Sequence, residues 1–136
     1  MDVTSAKHLK CVVVTPERAV LDEPAEFVAL PMYDGELGVL PGRAPLIGRL
    51  GSGELRLQQR GAARRFFVDG GFAQVRSNTV TVLTPRAVKA EEVTAAKAAE
   101  ASLQADAITG DDPVSRANRQ KARQRALAMG RVAGRG

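Results

Sequence analysis

Few side chains in this chain are suited to covalent or metal chemistry, and they do not converge. The one histidine, His8, precedes the first apolar run, and the one cysteine, Cys11, lies inside it in "CVVV". A Cys/His or Ser/His pair would have to recruit a residue outside the first strand, so a solvent-exposed His8 is the simpler reading. Cys11 reads as a buried strand thiol, and a single cysteine leaves no internal disulfide. Neither Cys-x-x-Cys nor His-Glu-x-x-His occurs, which removes the usual metal-ligand spacings. "GRLGSG" at 48–53 is glycine-rich but lacks the Gly-Lys-Ser/Thr ending. It also runs into the strand-like "ELRLQ" rather than a helix, so a hairpin turn is expected there instead of a phosphate cradle. Asp34 and Glu36 are close in sequence, yet a glycine-rich setting leaves such carboxylates solvated and unsuited to act as acids. No catalytic, metal-binding or cofactor-binding residue is expected.

The remaining chemistry is charge. The formal net charge is +5, but every side-chain carboxylate lies at or before Asp112. From Pro113 to Gly136 there are seven basic residues, Arg116, Arg119, Lys121, Arg123, Arg125, Arg131 and Arg135, and no acidic side chain. That segment carries +7 and the rest −2. The spacing spreads the cations around most of a helix, which also suits a merely solvated surface. Complete absence of balancing acid instead favours a partner: nucleic acid, anionic lipid or an acidic protein surface. The small apolar face disfavours lipid insertion, and 4% aromatic residues with no Trp disfavour a base-stacking platform.

Two kinds of element must position these groups. At 136 residues the chain can bury one core, built from Val, Leu, Ile and Ala with Phe27, Phe66, Phe67 and Phe72. No apolar run approaches the roughly 18 residues of a membrane span, and the amino terminus lacks a signal-like pattern, so a cytosolic chain is expected. From Leu9 to Pro85, "HLKCVVVTP", "AEFVALP", "GELRLQQ", "RRFFVDGGFAQVRS" and "NTVTVLTP" are short, β-branched and separated by turn signals. Leu55 and Leu57 alternate with Glu54, Arg56 and Gln58, and Val80 and Val82 with Thr79 and Thr81. Gly61 marks a hairpin, Ser77-Asn78 a second turn, and "VDGG" at 68–71 a bend or bulge. An antiparallel sandwich or flattened barrel follows.

After Pro85 the composition changes. "AEEVTAAKAAEASLQADAI", from Ala90, predicts a helix with Glu91 and Glu92 in its first turn and a stripe of Val93, Ala96, Ala99, Leu103 and Ala107. In "GDDP", Gly110 suits a helix stop, Asp112 an N-cap and Pro113 the first position of a second helix. Ala122, Ala126, Met129 and Ala133 form the second stripe, and so short a turn predicts an antiparallel hairpin. The expected division is a β-sandwich over residues 1–86 and a helical hairpin over 87–136. Alanine stripes bury little, so the hairpin is expected to be loosely seated.

"DGELGVLPGRAPLIGRLGSGELRL" and "FFVDGGFAQVRSNTVTVLT", in this order before an alanine-rich hairpin, resemble the ε subunit of the F-type ATP synthase. The resemblance covers nearly the whole chain. It implies a sandwich of about ten strands and a hairpin that folds against it or extends along the central shaft. It also implies a non-catalytic rotor subunit, coupling γ to the ring of c subunits and restraining hydrolysis through its helices. The Gly-Glu-Leu-Gly loop, Gly35, Glu36, Leu37 and Gly38, would face the c ring, with Arg43 of "PGRAP" standing where many members have histidine. Another sandwich surface would pack on γ. The seven basic residues after Pro113 would approach an acidic segment of the catalytic β subunits in the α/β hexamer. The family's Ile/Leu-Asp-x-x-Arg-Ala motif for ATP falls on Val93, Thr94, Lys97 and Ala98, without its carboxylate or its arginine fork, so no tight ATP site is expected. By this likeness the chain would sit peripherally on the cytoplasmic face of a bacterial inner membrane, held there only through the complex and binding no nucleic acid. The competing reading is a β-sandwich adaptor with an arginine-rich nucleic-acid-binding helix. A β-sandwich hydrolase ranks third for want of a nucleophile and base.

Overall fold

The structure is a computed structural model and describes residues 8–134. Eight strands occur among the described residues: β1 (Leu9–Val14), β2 (Ala19–Ala25), β3 (Phe27–Met32), β4 (Gly35–Val39), β5 (Leu46–Gln59), β6 (Ala62–Arg76), β7 (Thr79–Leu83) and β8 (Ala87–Lys89). After a single 3-10 turn, Ala90–Glu92, come helices α1 (Ala95–Asp106) and α2 (Pro113–Gly134). The chain divides into two compact units, Met1–Val88 and Lys89–Gly136.

Alternation organises the first unit. Leu55 and Leu57 are buried while Arg56 and Gln58 are half-exposed, and buried Val80 and Val82 alternate with Thr79 and Thr81. Arg60-Gly61 joins β5 to β6, with φ of 47° and 80°, and Ser77-Asn78 joins β6 to β7, with φ of 51° and 60°. Gln59 faces Ala62 and Arg76 faces Thr79, so both are two-residue turns whose positive φ matches the twist of the flanking strands.

The strands pair in the order β2-β1-β7-β6-β5-β3-β4, with β8 added to β6. The long strands β5 and β6 pair along their length except at Gly51 and Gly70, between the Leu50–Gly71 and Ser52–Asp69 pairs. Gly70 and Gly71 have φ of 79° and 102°, and a Cβ on Gly71 would collide with the Leu83 carbonyl oxygen. There the sheet bends. One layer holds β2, β1, β7, the second half of β6 and the start of β5; the other holds the remaining halves with β3 and β4. Counted once in each layer, the two long strands raise the eight to the ten expected.

Two expectations change. "GRLGSG" is not a hairpin turn: it lies inside β5, where a Cβ on Gly48 or Gly53 would run into Met32 or Pro31 of β3. Its glycines admit a neighbouring strand rather than reverse the chain. The sheet is also mixed, because β1 runs parallel to β7 from Lys10–Thr79 to Val14–Leu83. A parallel pair needs a long connection, and β2 to β6 supply it. The two layers enclose one aliphatic core, including Leu9, Cys11 and Val13 from one and Val28, Leu30, Leu55, Leu57 and Phe66 from the other.

In the second unit α1 begins later than its composition implies. Glu91 and Glu92 belong to the separate 3-10 turn, Val93 is extended, and the Thr94 side chain caps α1 by accepting the Lys97 N–H at 3.1 Å. This sets the helix phase. Ala98 and Ala105 are buried, whereas Ala96, Ala99 and Ala107 are exposed and Leu103 is 71% exposed, so the predicted stripe is displaced. The second helix follows its signals. Asp112 Oδ2 accepts the Ser115 N–H at 3.0 Å, Pro113 opens α2, and Gly110 has φ of 117°. Ala126 is buried and Ala122, Met129 and Ala133 are half-buried, as their spacing predicts, with Ala128 and Val132 buried as well. α1 and α2 pack on each other.

Candidate functional site

Gly35–Val39 is not a loop but β4, the terminal strand of the pairing order, with Gly38 opposite Ala29 and Glu36 opposite Pro31. Gly38 is required by packing: a Cβ there would stand 2.9 Å from the Phe27 ring. Glu36 is exposed and reaches Arg56 Nη1 of β5 at 3.7 Å. Arg56 in turn lies 3.4 Å from Glu54, whose carboxylate is 4% exposed and also bonds Arg65 Nε. Arg56 and Arg65 are cross-strand partners, so two like charges stand side by side with the Glu54 carboxylate paired to both. Arg56 thus links the exposed carboxylate of β4 to a buried one in β5.

After β4, residues Leu40 to Arg43 make a tight turn closed by the Arg43 N–H on the Leu40 carbonyl at 3.3 Å, with Gly42 at φ 86°. Pro followed by a positive-φ Gly is the type II signature. Arg43 is exposed on this turn. The Gly42 N–H donates to Asn78 Oδ1 at 2.8 Å.

Next to β4 a groove of about 600 Å³ opens, lined by Met32, Tyr33, Asp34, Gly35, Glu36, Leu37, Leu46, Ile47, Gly48 and Arg49. Its rim carries two carboxylates, and its one guanidinium, Arg49, lies 4.2 Å from the centre of the Tyr33 ring. The groove continues onto the outer face of the five-segment layer. Arg49 faces Phe72 and Phe72 faces Leu83, while Ile47 lies diagonally beside Phe72. Ile47 is 75% exposed, Phe72 58% and Leu83 53%. Phe72, expected in the core, instead lies on this exposed strip. The signal for the strip was adjacency: Leu46-Ile47, Phe72-Ala73 and Val82-Leu83 are consecutive apolar residues on strands, which put an apolar group on both faces.

The basic residues of α2 divide by what they touch. Arg119 Nη1 donates to the carbonyls of Ile108 and Gly110, and Arg123 Nε to Asp106 Oδ1 at 3.2 Å, so both tie α2 to the end of α1. Arg125 is half-buried; Arg116, Lys121 and Arg131 are exposed, and Arg135 lies outside the described residues. At the degenerate nucleotide motif, Val93 and Ala98 are buried, Thr94 is the helix cap, and Lys97 Nζ donates to the Glu92 carbonyl at 3.0 Å. These groups serve the start of α1.

Burial pushes the Cys11 thiol up to about 12, with Glu23 and Asp22 adding to it, which disfavours the reactive thiolate. Among the described residues, no three His, Cys, Asp or Glu side chains gather as a metal site, and no helix is long and apolar enough to cross a membrane.

The sequence profile described as the beta-sandwich domain of the ATP synthase Delta/Epsilon chain matches residues 8–90. The chain is 66% identical over 80 residues to the ATP synthase epsilon chain of Rhodopirellula baltica, a match spanning 59% of this chain and 62% of that one. It is 39% identical over 130 residues to the epsilon chain of Nitratidesulfovibrio vulgaris strain DP4, covering 94% of this chain and 97% of the relative. It also resembles a chain in the OSCP/F1/c-ring structure of the Euglena gracilis mitochondrial ATP synthase, with a TM-score of 0.80, 25% identity, and coverage of 90% and 79%.

Proposed function

Since this chain belongs to the ATP synthase Delta/Epsilon chain family, we propose that it is the non-catalytic central-stalk subunit of an F-type ATP synthase, coupling γ to the c ring and restraining hydrolysis through α2. The observation that carries the docking role is the uncovered strip of Ile47, Phe72 and Leu83 beside the Tyr33–Arg49 pair. Exposed apolar residues that form one contiguous strip, flanked by charge, mark an interaction surface. We assign that strip to γ, and β4 with the Arg43 turn to the c ring. Glu36 would meet basic groups of the ring, held in place by Arg56 and the buried Glu54.

A subunit that transmits torque must not yield, and one bent sheet with a single aliphatic core suits that task. Regulation falls to the other unit. Arg116, Lys121 and Arg131 are exposed on α2 and would face acidic groups of the catalytic β subunits. Arg119 and Arg123 are engaged within the hairpin, which weakens the case for an arginine-rich nucleic-acid helix. By this reading the protein reaches the bacterial membrane surface only as part of the complex. The test is reconstitution with γ, the c ring and the catalytic hexamer. Stable co-purification with γ supports the assignment, and failure to associate with γ overturns it.

A further inference from the structure

We propose that Asn78 is the positioning residue for the turn that carries Arg43, an inference that rests on the docking role above. In a type II turn the peptide between the second and third residues is flipped relative to a type I turn. Its N–H, here that of Gly42, points away from the closing Leu40–Arg43 hydrogen bond and finds no partner within the turn. Asn78 Oδ1 takes that N–H at 2.8 Å from a turn 36 residues further along the chain. A flipped peptide would turn the Gly42 N–H away from this acceptor, so the bond selects one turn type and with it the direction in which Arg43 leaves the sheet.

Asn78 is itself held from two sides. It occupies a left-handed position at φ 60°, which asparagine tolerates better than most residues, in the two-residue turn between β6 and β7. Its carbonyl accepts the Lys10 N–H of β1 at 2.8 Å. One residue therefore fastens the β4–β5 turn, the β6–β7 turn and the first strand together at one end of the sandwich. The c-ring-facing turn is thereby fixed to the body that grips γ, and motion of one is passed to the other.

Three variants of the complete chain separate this role from simple stability. Asn78→Gly keeps the left-handed backbone but removes the acceptor, whereas Asn78→Asp keeps an acceptor in the same place. Asn78→Ala removes the acceptor and adds backbone strain. With each variant bound to γ, affinity for purified c ring is measured alongside exchange protection of the Gly42 amide. Asn78→Gly should lose protection at Gly42 and bind the ring about fivefold more weakly, the scale of one hydrogen bond, with γ affinity unchanged. Asn78→Asp should restore both readouts. Equal ring affinity for the native chain and Asn78→Gly overturns the positioning role while leaving docking intact. A parallel loss of γ affinity also overturns it, in favour of a general structural role. Absence of ring binding by the native chain overturns docking itself, and the role with it.

Discussion

Arg119 on α2 donates through Nη1 to the carbonyl oxygen of Ile108, eleven residues earlier, at 2.9 Å. The same nitrogen reaches Gly110 at 3.2 Å, so one guanidinium satisfies two carbonyls in the link that follows α1. Replacing Arg119 by Ala should weaken the α1–α2 pairing by about 1–2 kcal/mol, the range of partly exposed charge-assisted bonds. Amide exchange in α1 and α2 should quicken accordingly, while Arg116→Ala leaves it unaltered. Equal exchange in both variants would remove Arg119 as the fastening.

Simultaneous replacement of Arg116, Lys121 and Arg131 by Ala removes exposed positive charge without touching the hairpin's internal bonds. Helix content should hold, and ATP hydrolysis by the reconstituted complex should rise. Removal of residues 90–136 should produce the larger rise, with γ binding largely retained. Unchanged hydrolysis in both would discard the brake and spare the rotor assignment.

Glu54 is the buried member of an ionic chain with Arg56 and Arg65. Glu54→Gln leaves two neighbouring guanidiniums without their shared anion and should destabilise the sandwich by about 3 kcal/mol. A urea unfolding curve reads this directly. Coincident midpoints for the variant and the native chain would contradict it.

Glu23 is bonded by Arg64 at 2.5 and 2.6 Å and by Gln59 at 2.8 Å, and the Arg64 bonds, more than any other cause, hold its carboxyl below the ordinary value of 4.5. A carboxylate whose folded-state pKa is depressed stabilises the fold above its unfolded value, and that gain disappears as pH falls through the folded one. The sandwich should therefore lose stability progressively as pH drops below about 4.5. Glu23→Gln should flatten this part of the acid limb, as thermal melts between pH 6 and about 3 would reveal. Because the pair is partly exposed to solvent, the change should be modest. An acid limb of undiminished slope in Glu23→Gln would refute the assignment.

Calorimetric titration with ATP should show no micromolar binding. Thr94 and Lys97 are occupied with the start of α1, and a lysine lacks the planar fork of an arginine. Saturable heat at micromolar ATP would show that the motif has kept its ligand.

The strands were legible because burial on one face writes a period of two into the sequence, as Leu55 and Leu57 do. The turns at Gly61 and Asn78 were legible because left-handed backbone restricts residue choice. "GRLGSG" misled because glycine serves both chain reversal and close approach, and only the position of Met32 and Pro31 separates the two. The stripe on α1 was misplaced because Thr94, rather than Ala90, starts the helix, and an alanine-rich segment carries too little contrast to reveal its own phase. Glu36 and Arg43 were singled out by family likeness. Their supports, Arg56 and Asn78, were not, since each acts across strands distant in sequence.

The parallel seam between β1 and β7 also dictates an order of assembly. Lys10 emerges early from the ribosome but cannot find Thr79 until almost the entire sheet has been synthesised, so the opening strand must wait with only β2 beside it. Non-local closure of this kind is slow. The nascent sheet should therefore close in one late step, when β1 and β7 meet across the seam.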